Sequence, residues 1–185
     1  MTHRLQLFDT SESLVESVAS FLFEGYVRGE HLVIVAKPRH RQAVMATLQR
    51  MGCFPPDADT PQRLVALDAA EVLHTITRDG RLDATLFKRT IKPLMKSLSE
   101  TGPVRIYGEA VELLAEQQDL GTAFALEQLW NALGSEIPYT MLCGYSSAHF
   151  TTPASQRSLR DICGTHTHVA AEADDTLGRY LLAIA

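Results

Sequence analysis

The sequence lacks the features that mark membrane-spanning and secreted proteins. No apolar run approaches the roughly 18 residues that a membrane span needs, and the N-terminus has no signal-peptide core. The three cysteines are an odd number, at spacings that do not resemble a disulfide framework. These absences argue against a disulfide-rich secreted domain. They predict a cytoplasmic protein in a reducing compartment, without a membrane partner.

Concentrated positive charge is missing too. The chain carries 17 Lys and Arg against 22 Asp and Glu, a formal net charge of -5, and it has no basic block. Because binding to a phosphate backbone requires clustered Lys and Arg, direct contact with nucleic acid is not expected.

Signatures of catalysis are equally scarce. The sequence has no GxSxG, HExxH or Ser/His/Asp signature. This argues against an enzyme, and no cofactor is indicated. One enzymatic alternative stays open, a residual nucleotide hydrolase that uses Glu109 as its base.

What the sequence does contain is a regular alternation of strand-like and helical patterns. Its 185 residues, 45% of them hydrophobic, suit one globular domain. The continuous apolar run at 32–36 is typical of a strand that is covered on both faces. Strands are predicted at 4–8, 32–37, 64–68, 104–107 and 139–145. A first helix is predicted to begin within 9–12 and to be ended by Gly25 and Gly29, followed by helices at 38–51, 83–99 and 119–133. This alternation predicts a three-layer α/β fold, a mainly parallel sheet with helices on both faces.

Prolines mark one predicted loop and one predicted irregularity within a helix. The loop at 55–61 is proline-rich and is interpreted as a turn region rather than a domain linker. Pro93 is expected to bend or break its helix, because proline removes a backbone donor. We expect residues 1–185 to form one domain, with its core at about 3–168 and a helical tail at about 172–185.

The turn after the first strand, FDTSES at 8–13, stands where a P-loop protein holds phosphate. A P-loop needs glycines, a lysine and a Ser or Thr, and this turn has hydroxyls but neither glycine nor lysine. It adds Asp9 and Glu12, and one like-charge contact at about 4 Å costs on the order of 1–4 kcal/mol. ATP binding is therefore disfavoured. Asp9 and Glu12 have capping-box spacing and, with Ser11, are interpreted foremost as helix caps.

Several segments, taken in order, resemble one known family. His3 and residues 5–8 open the resemblance, and the segments that continue it are FLFEG (21–25), RGEHLVIVA (28–36), LDA (67–69), RIYGEAVELL (105–114), ALEQLWNAL (125–133), LCGY (142–145) and ICGTH (162–166). The sequence resembles the MEDS domain, the methanogen and methylotroph sensory domain. The resemblance implies a RecA-like fold, related to the circadian-clock ATPases, with a degenerate P-loop. It also implies a non-enzymatic sensory input module that perceives small organic compounds.

The resemblance carries expectations about partners as well. Members of the family are usually joined to an output module such as a DNA-binding helix-turn-helix or a histidine kinase. About twenty residues follow His166, fewer than either module needs. We therefore expect the signal to pass to a separate histidine kinase or transcription regulator, or the chain to act as an adaptor. A homodimer is also possible.

The residues expected to bind a ligand lie near the carboxyl ends of the predicted strands, which form the functional edge of a parallel sheet. The candidates are Arg105, Glu109, Glu127, Asp9, Ser11 and Tyr145. We expect a ligand nearer Arg105 and Glu109 than at the first turn. The alternative is that these charged residues form an internal ion pair or helix cap that fastens the sheet to the helix at 120–133.

A short loop near the end of the chain has the densest set of metal-binding side chains. Cys163, His166 and His168 suit zinc or copper, and His3 or Cys143 could complete the set in space. Because one loop supplies only three ligands, we predict no metal site and treat these residues as weak candidates. A buried hydrogen bond of His166 and a solvent-exposed His168 are expected instead. A metal or thiol redox sensor is the alternative.

Overall fold

The structure, a computed structural model, describes residues 1–54 and 63–171. Six parallel strands form the main sheet with helices on both faces, which confirms the predicted three-layer α/β fold. The strands are β1 (Thr2–Phe8), β2 (His31–Ala36), β3 (Leu64–Asp68), β4 (Thr77–Arg78), β5 (Arg81–Leu82), β6 (Val104–Gly108), β7 (Thr140–Ser146) and β8 (His168–Ala170). The helices are α1 (Ser11–Val27), α2 (Pro38–Arg50), α3 (Ala69–Thr75), α4 (Ala84–Ser99), α5 (Ala110–Glu116), α6 (Leu120–Glu136) and α7 (Pro153–Cys163). The order of the main sheet is β3-β2-β6-β7-β1-β8, and β4 and β5 form a separate hairpin.

The sheet separates two apolar layers. Helices α1 and α2 pack on one face, and helices α3 to α7 pack on the other. In β2, Leu32, Ile34 and Ala36 belong to the first layer, whereas Val33 and Val35 belong to the second. This burial on both faces explains why the strand is apolar throughout.

Within the described residues, the predicted strands and helices are all present, with boundaries shifted by up to three residues. The structure adds elements that were not predicted: α3, α5, α7, the β4–β5 hairpin and β8. Helices α3 and α5 have 7 residues each, which is too short to show a clear helical period in the sequence.

The start of α1 differs from the predicted capping box. The helix begins at Ser11, and Thr10 is its N-cap: the Ser13 N–H donates to Thr10 Oγ1 at 3.2 Å. The capping box of Asp9 and Glu12 is therefore wrong. The threonine hydroxyl is placed to reach the third amide of the helix, which leaves Asp9 outside the helix for another contact.

A bend or a break was expected at Pro93, and the break is absent. Helix α4 runs from Ala84–Ser99 without interruption, although Pro93 cannot donate to the carbonyl of Arg89. Both residues are exposed, so that carbonyl can accept from water instead. The solvent-facing position is what makes the proline tolerable.

Two predicted segments, the loop at 55–61 and the tail at 172–185, lie outside the described residues. Among the residues that are described, no helix combines the length and the apolar character that crossing a membrane requires. The boundaries of the single domain stay a prediction.

The start of β6 is fastened to α1 by a buried arginine. Arg105 is only 2% exposed, and its Nε donates to Glu30 Oε2 at 2.7 Å. Its Nη1 donates to Glu24 Oε2 at 3.0 Å and to the carbonyl oxygen of Phe21 at 2.9 Å. Because a buried guanidinium needs partners for its N–H groups, these bonds fix where α1 packs on the sheet.

Gly25 of α1 leaves the space that Arg105 occupies. A Cβ at this position would lie 2.7 Å from Arg105 Cδ and 2.8 Å from Leu32 Cδ2. We expect Gly25→Ala to lower the free energy of unfolding by about 1–3 kcal/mol, because the added methyl group must displace packed atoms. Urea unfolding followed by circular dichroism measures the change.

The matched control is Gly121→Ala in the first turn of α6. A Cβ there would meet only Asp119 Oδ1 within 4 Å, at 3.9 Å. This variant should be neutral or gain up to about 1 kcal/mol, since alanine favours a helix over glycine. Equal stability of the two variants would contradict the tight packing of Arg105 against Gly25.

Candidate functional site

The helices that follow the strands diverge at the carboxyl edge of the sheet. β2 leads to α2 on one face, whereas its neighbour β6 leads to α5 on the other. Such divergence between adjacent strands opens the crevice at which open α/β sheets bind ligands. Of the predicted site residues, Asp9, Ser11 and Glu109 lie at this edge.

A buried glutamate connects β6, β2 and the first turn. Glu109 is fully buried, and its Oε2 accepts the backbone N–H of Lys37 at 2.9 Å. Because a carboxylate can only accept, the Nδ1–H of His40 donates to Glu109 Oε1. The Nε2 of the same imidazole lies 3.1 Å from Ser11 Oγ. We call this set the edge cluster; it consists of Ser11, Lys37, His40 and Glu109.

The edge cluster changes one expectation. Ser11 belongs to the first turn, and Glu109 follows β6, yet both bind the same imidazole, that of His40. The first turn and the region of Glu109 are therefore one location rather than two.

A second buried carboxylate holds the end of β7. Glu112 Oε2 accepts the backbone N–H of Ser146 at 2.9 Å, and Glu112 Oε1 lies 2.9 Å from His149 Nε2. Nearby, the hydroxyl of Ser147 donates to Asp9 Oδ1. The hydrogen bond with Glu112 raises the pKa of His149, although burial opposes the rise. The carboxyl ends of β1 and β7 are thus joined through polar contacts.

An open groove of about 690 Å³ runs between α1 and α2 and reaches His40. Its wall is partly apolar, with Val15, Ala43 and Ala46, and partly charged, with Arg39, Arg50 and Glu12 among the lining residues. The groove gives solvent a route to the edge cluster, since Ser11 and His40 both line it.

The structure separates the three residues that were expected to share a pocket. Arg105 lies near the start of β6 and Glu109 follows its end, about 13 Å apart at about 3.3 Å per residue. Arg105 forms the internal ion pairs described above, with Glu24 of α1 and with Glu30 just after α1, rather than with the helix at 120–133. Glu127 lies on α6 and belongs to a different set of contacts. A ligand-binding role for Arg105 stays a prediction.

That second set of polar side chains is buried between the sheet and α6. Glu127 Oε2 lies 3.2 Å from His3 Nε2, and Glu127 Oε1 lies 3.5 Å from His166 Nε2. Cys143 Sγ lies 3.3 Å from both His3 Nε2 and Glu127 Oε2. We call this set the buried cluster; it consists of His3, Glu127, Cys143 and His166, whose candidate ligand atoms all lie within 4.8 Å of one another.

Tyr145 completes the surroundings of Glu127. Its hydroxyl donates to Glu127 Oε1 at 2.9 Å. Burial raises the pKa of Glu127, but the adjacent imidazoles of His166 and His3 outweigh it and hold that pKa well below its usual range. Burial and the charge of Glu127 raise the pKa values of Cys143 and Tyr145. At neutral pH the carboxyl is ionised while the thiol and the phenol keep their protons.

Of the three residues in the predicted metal-binding loop, only one belongs to the buried cluster. That residue is His166, whose side chain is fully buried, whereas His168 is exposed, as expected. Cys163 is outside the cluster, and burial raises the pKa of its thiol to about 11. His3 and Cys143, which were named as residues that could complete a site, are both members, and Glu127 is the member that was not considered as a metal ligand.

Four residues of the carboxyl edge were not predicted: Lys37, His40, Glu112 and His149. The rule that ligands bind beyond the ends of parallel strands could have found Lys37, which directly follows β2. Nothing in the local sequence marks the others, because their roles depend on which strands are neighbours.

These observations define the class of the protein first: a three-layer α/β domain with polar side chains at the carboxyl edge and in one buried cluster. The sequence model of the MEDS family, described as the methanogen/methylotroph, DcmR sensory domain, matches residues 2–167. The chain therefore belongs to this family of sensory domains. No curated protein matches the chain. The matched range includes every residue of the edge cluster and the buried cluster. A RecA-like origin of the fold stays a prediction.

The pair of His149 and Glu112 predicts a pH-dependent contribution to stability. Because Glu112 raises the pKa of His149 in the folded state, the contribution is complete below the unfolded pKa of about 6.5. It is lost as the pH rises through the folded pKa. Glu116 adds to the rise and Lys37 opposes it. The difference in unfolding free energy between wild type and His149→Gln should therefore be larger at pH 6 than at pH 9 in urea titrations.

A double-mutant cycle isolates this pair from other titrating groups. In a Glu112→Gln background, the carboxamide cannot stabilise the imidazolium, so His149→Gln should have a similar effect at both pH values. The assignment is contradicted if the difference in unfolding free energy between wild type and His149→Gln is the same at pH 6 and pH 9.

Proposed function

We propose that this chain is a sensory input domain that binds a small organic ligand at the carboxyl edge of its sheet and does not catalyse a reaction. In this proposal the signal passes to a separate signalling protein, a histidine kinase or a transcription regulator. Membership of a sensory-domain family supports the general role. The observation that carries the choice of site is the continuous path from the groove through Ser11 and His40 to buried Glu109.

The chemistry of the groove suits a small organic molecule with an apolar part and a polar or anionic group. Ligand pockets of about 300–1,000 Å³ are usual, and the groove has about 690 Å³. The methyl groups of Ala43 and Ala46 offer apolar contact. The positive charges of Arg39 and Arg50 outnumber the one carboxylate in the groove wall, that of Glu12.

Binding there would act on the packing of α1 against α2. The Ser11–His40 hydrogen bond links the first turn of α1 to the first turn of α2. A ligand that competes for either group has a different affinity for the bonded and the separated arrangement. Such a difference is what allows a ligand to shift a conformational equilibrium.

The same contacts speak against a nucleotide as the ligand and against Glu109 as a catalytic base. The turn before α1 has no glycine or lysine, and its Asp9 is bonded to Ser147. Glu109 is enclosed by the Lys37 N–H and His40 rather than directed at an open site. These contacts support a domain that neither binds nor hydrolyses a nucleotide phosphate.

The test compares ligand binding by the wild-type chain with binding by a variant in which a larger side chain fills the groove. A panel of short-chain alcohols, amines and carboxylic acids, together with MgATP, is screened by thermal shift, and binding compounds are measured by calorimetry. Ala43→Phe places a ring in the groove and should weaken binding at least about tenfold, equivalent to about 1.4 kcal/mol. Circular dichroism checks that the variant is folded.

Ala70→Phe is the matched control, because Ala70 is an exposed residue of α3 on the other face of the sheet. It should leave the affinity unchanged. The proposal is contradicted if Ala43→Phe binds as wild type does, or if MgATP is the compound that binds.

A further inference from the structure

The buried cluster brings together four side chains that are far apart in the sequence. His3 lies on β1, Cys143 on β7 and Glu127 on α6, while His166 follows α7. All four side chains are buried. No other group of three or more His, Cys, Asp or Glu side chains within metal-binding distance occurs among the described residues.

The proton positions follow from partners that have only one role. The carbonyl oxygen of Ile162 accepts, so the proton of His166 is on Nδ1, which lies 2.8 Å away. The amide nitrogen of Asn131 donates to the carbonyl of Thr165 at 2.8 Å, which turns Asn131 Oδ1 towards His3 Nδ1 at 3.0 Å. Both imidazoles therefore donate through Nδ1 to an oxygen outside the cluster.

This leaves the two Nε2 atoms facing a carboxylate. His166 Nε2 is buried and has no hydrogen-bond partner, although Glu127 Oε1 lies 3.5 Å away. If both imidazoles are neutral, nitrogen lone pairs oppose carboxylate oxygens, and the single S–H of Cys143 can satisfy only one of them. If one is protonated, the charges balance, but His166 Nε2 then either lacks a donor or reaches Glu127 Oε1 only at 3.5 Å, which is long for a hydrogen bond. If both are protonated, a net positive charge is buried instead. Each arrangement carries a free-energy cost.

A divalent cation removes these difficulties. Two neutral imidazoles, one carboxylate and one thiolate balance a charge of +2, so the buried site becomes neutral. The outer hydrogen bonds through Nδ1 are those that orient metal-binding histidines in proteins. Tyr145 donates to Glu127 Oε1 at 2.9 Å and would orient the carboxylate in the same way.

Three of the four side chains are already spaced as in tetrahedral coordination. Bonds of about 2.0–2.3 Å place tetrahedral ligand atoms about 3.3–3.8 Å apart. His3 Nε2, Glu127 Oε2 and Cys143 Sγ lie 3.2, 3.3 and 3.3 Å from one another, and the ligand atom of His166 lies within 4.8 Å of the other three. Nitrogen, oxygen and sulfur donors in one set suit zinc better than magnesium or calcium.

We propose that the buried cluster binds one divalent transition-metal ion, with zinc the ion that the donor set favours. The site has four protein ligands and no open position, so its role is to hold the fold rather than to activate water. Binding replaces the thiol proton of Cys143, which leaves to solvent as the sulfur–metal bond forms. The ion would join β1, β7, α6 and the segment after α7. The proposal does not depend on a ligand in the groove.

The first test is the metal content of the full chain, produced without a histidine tag and purified without chelators. Elemental analysis should find about one zinc per chain. Removing the metal with a chelator should lower the melting temperature by at least about 5 °C, and one equivalent of Zn²⁺ should restore it. Less than about 0.2 metal ions per chain, together with no thermal response to added Zn²⁺, would overturn the proposal.

Variants then locate the ion. Cys143→Ser and His166→Gln should lose most of the bound zinc, whereas the matched controls Cys163→Ser and His168→Gln should keep it. Zinc that is retained in the first pair, or lost only in the second pair, would overturn the assignment.

Cobalt substitution gives an independent reading if a variant fails to fold. The Co²⁺ form of the wild-type chain should show a thiolate-to-cobalt charge-transfer band in the near ultraviolet and the visible bands of tetrahedral Co²⁺. Cys163→Ser should keep the thiolate band. A wild-type spectrum without it would show that Cys143 does not bind the metal.

Discussion

A carboxylate that is removed from water must find donors inside the protein, and the described part of the chain buries three glutamates: Glu109, Glu112 and Glu127. Each lies beside at least one histidine: His40 with the first, His149 with the second, and His3 and His166 with the third. Two of them also bind a backbone N–H at the carboxyl end of a strand. The positions of β2, β7, α5 and α6 depend on these buried acids being satisfied.

The fold class could be predicted from the sequence because it depends on local patterns of residues. The apolar run of β2 shows burial on both faces, and the spacing of strands and helices predicts parallel crossovers. The strand order is not local. That β1 lies between β7 and β8 follows from packing across the whole chain, and no window of sequence contains this information.

The candidate site residues show the same contrast between local sequence patterns and packing across the whole chain. Glu109 could be predicted because it directly follows a strand of a parallel sheet. The same rule would have separated Arg105 from Glu109, because Arg105 stands at the start of the strand and therefore lies near the opposite edge of the sheet. The buried cluster could not be found from spacing, because His3 and His166 meet only when β1 and the segment after α7 are brought side by side, where the Thr167 N–H donates to the His3 carbonyl oxygen at 2.7 Å.

The buried cluster and the carboxyl edge of the sheet are connected through the end of β7. Tyr145 donates its hydroxyl to Glu127 of the buried cluster, while the next residue, Ser146, donates its backbone N–H to Glu112 at the carboxyl edge. Tyr145 and Ser146 are adjacent in β7, so one short segment contributes to both sets of bonds. A displacement of β7 along its axis would stretch both bonds together. The packing around Glu127 and the geometry of the carboxyl edge are therefore mechanically coupled, whatever occupies either of them.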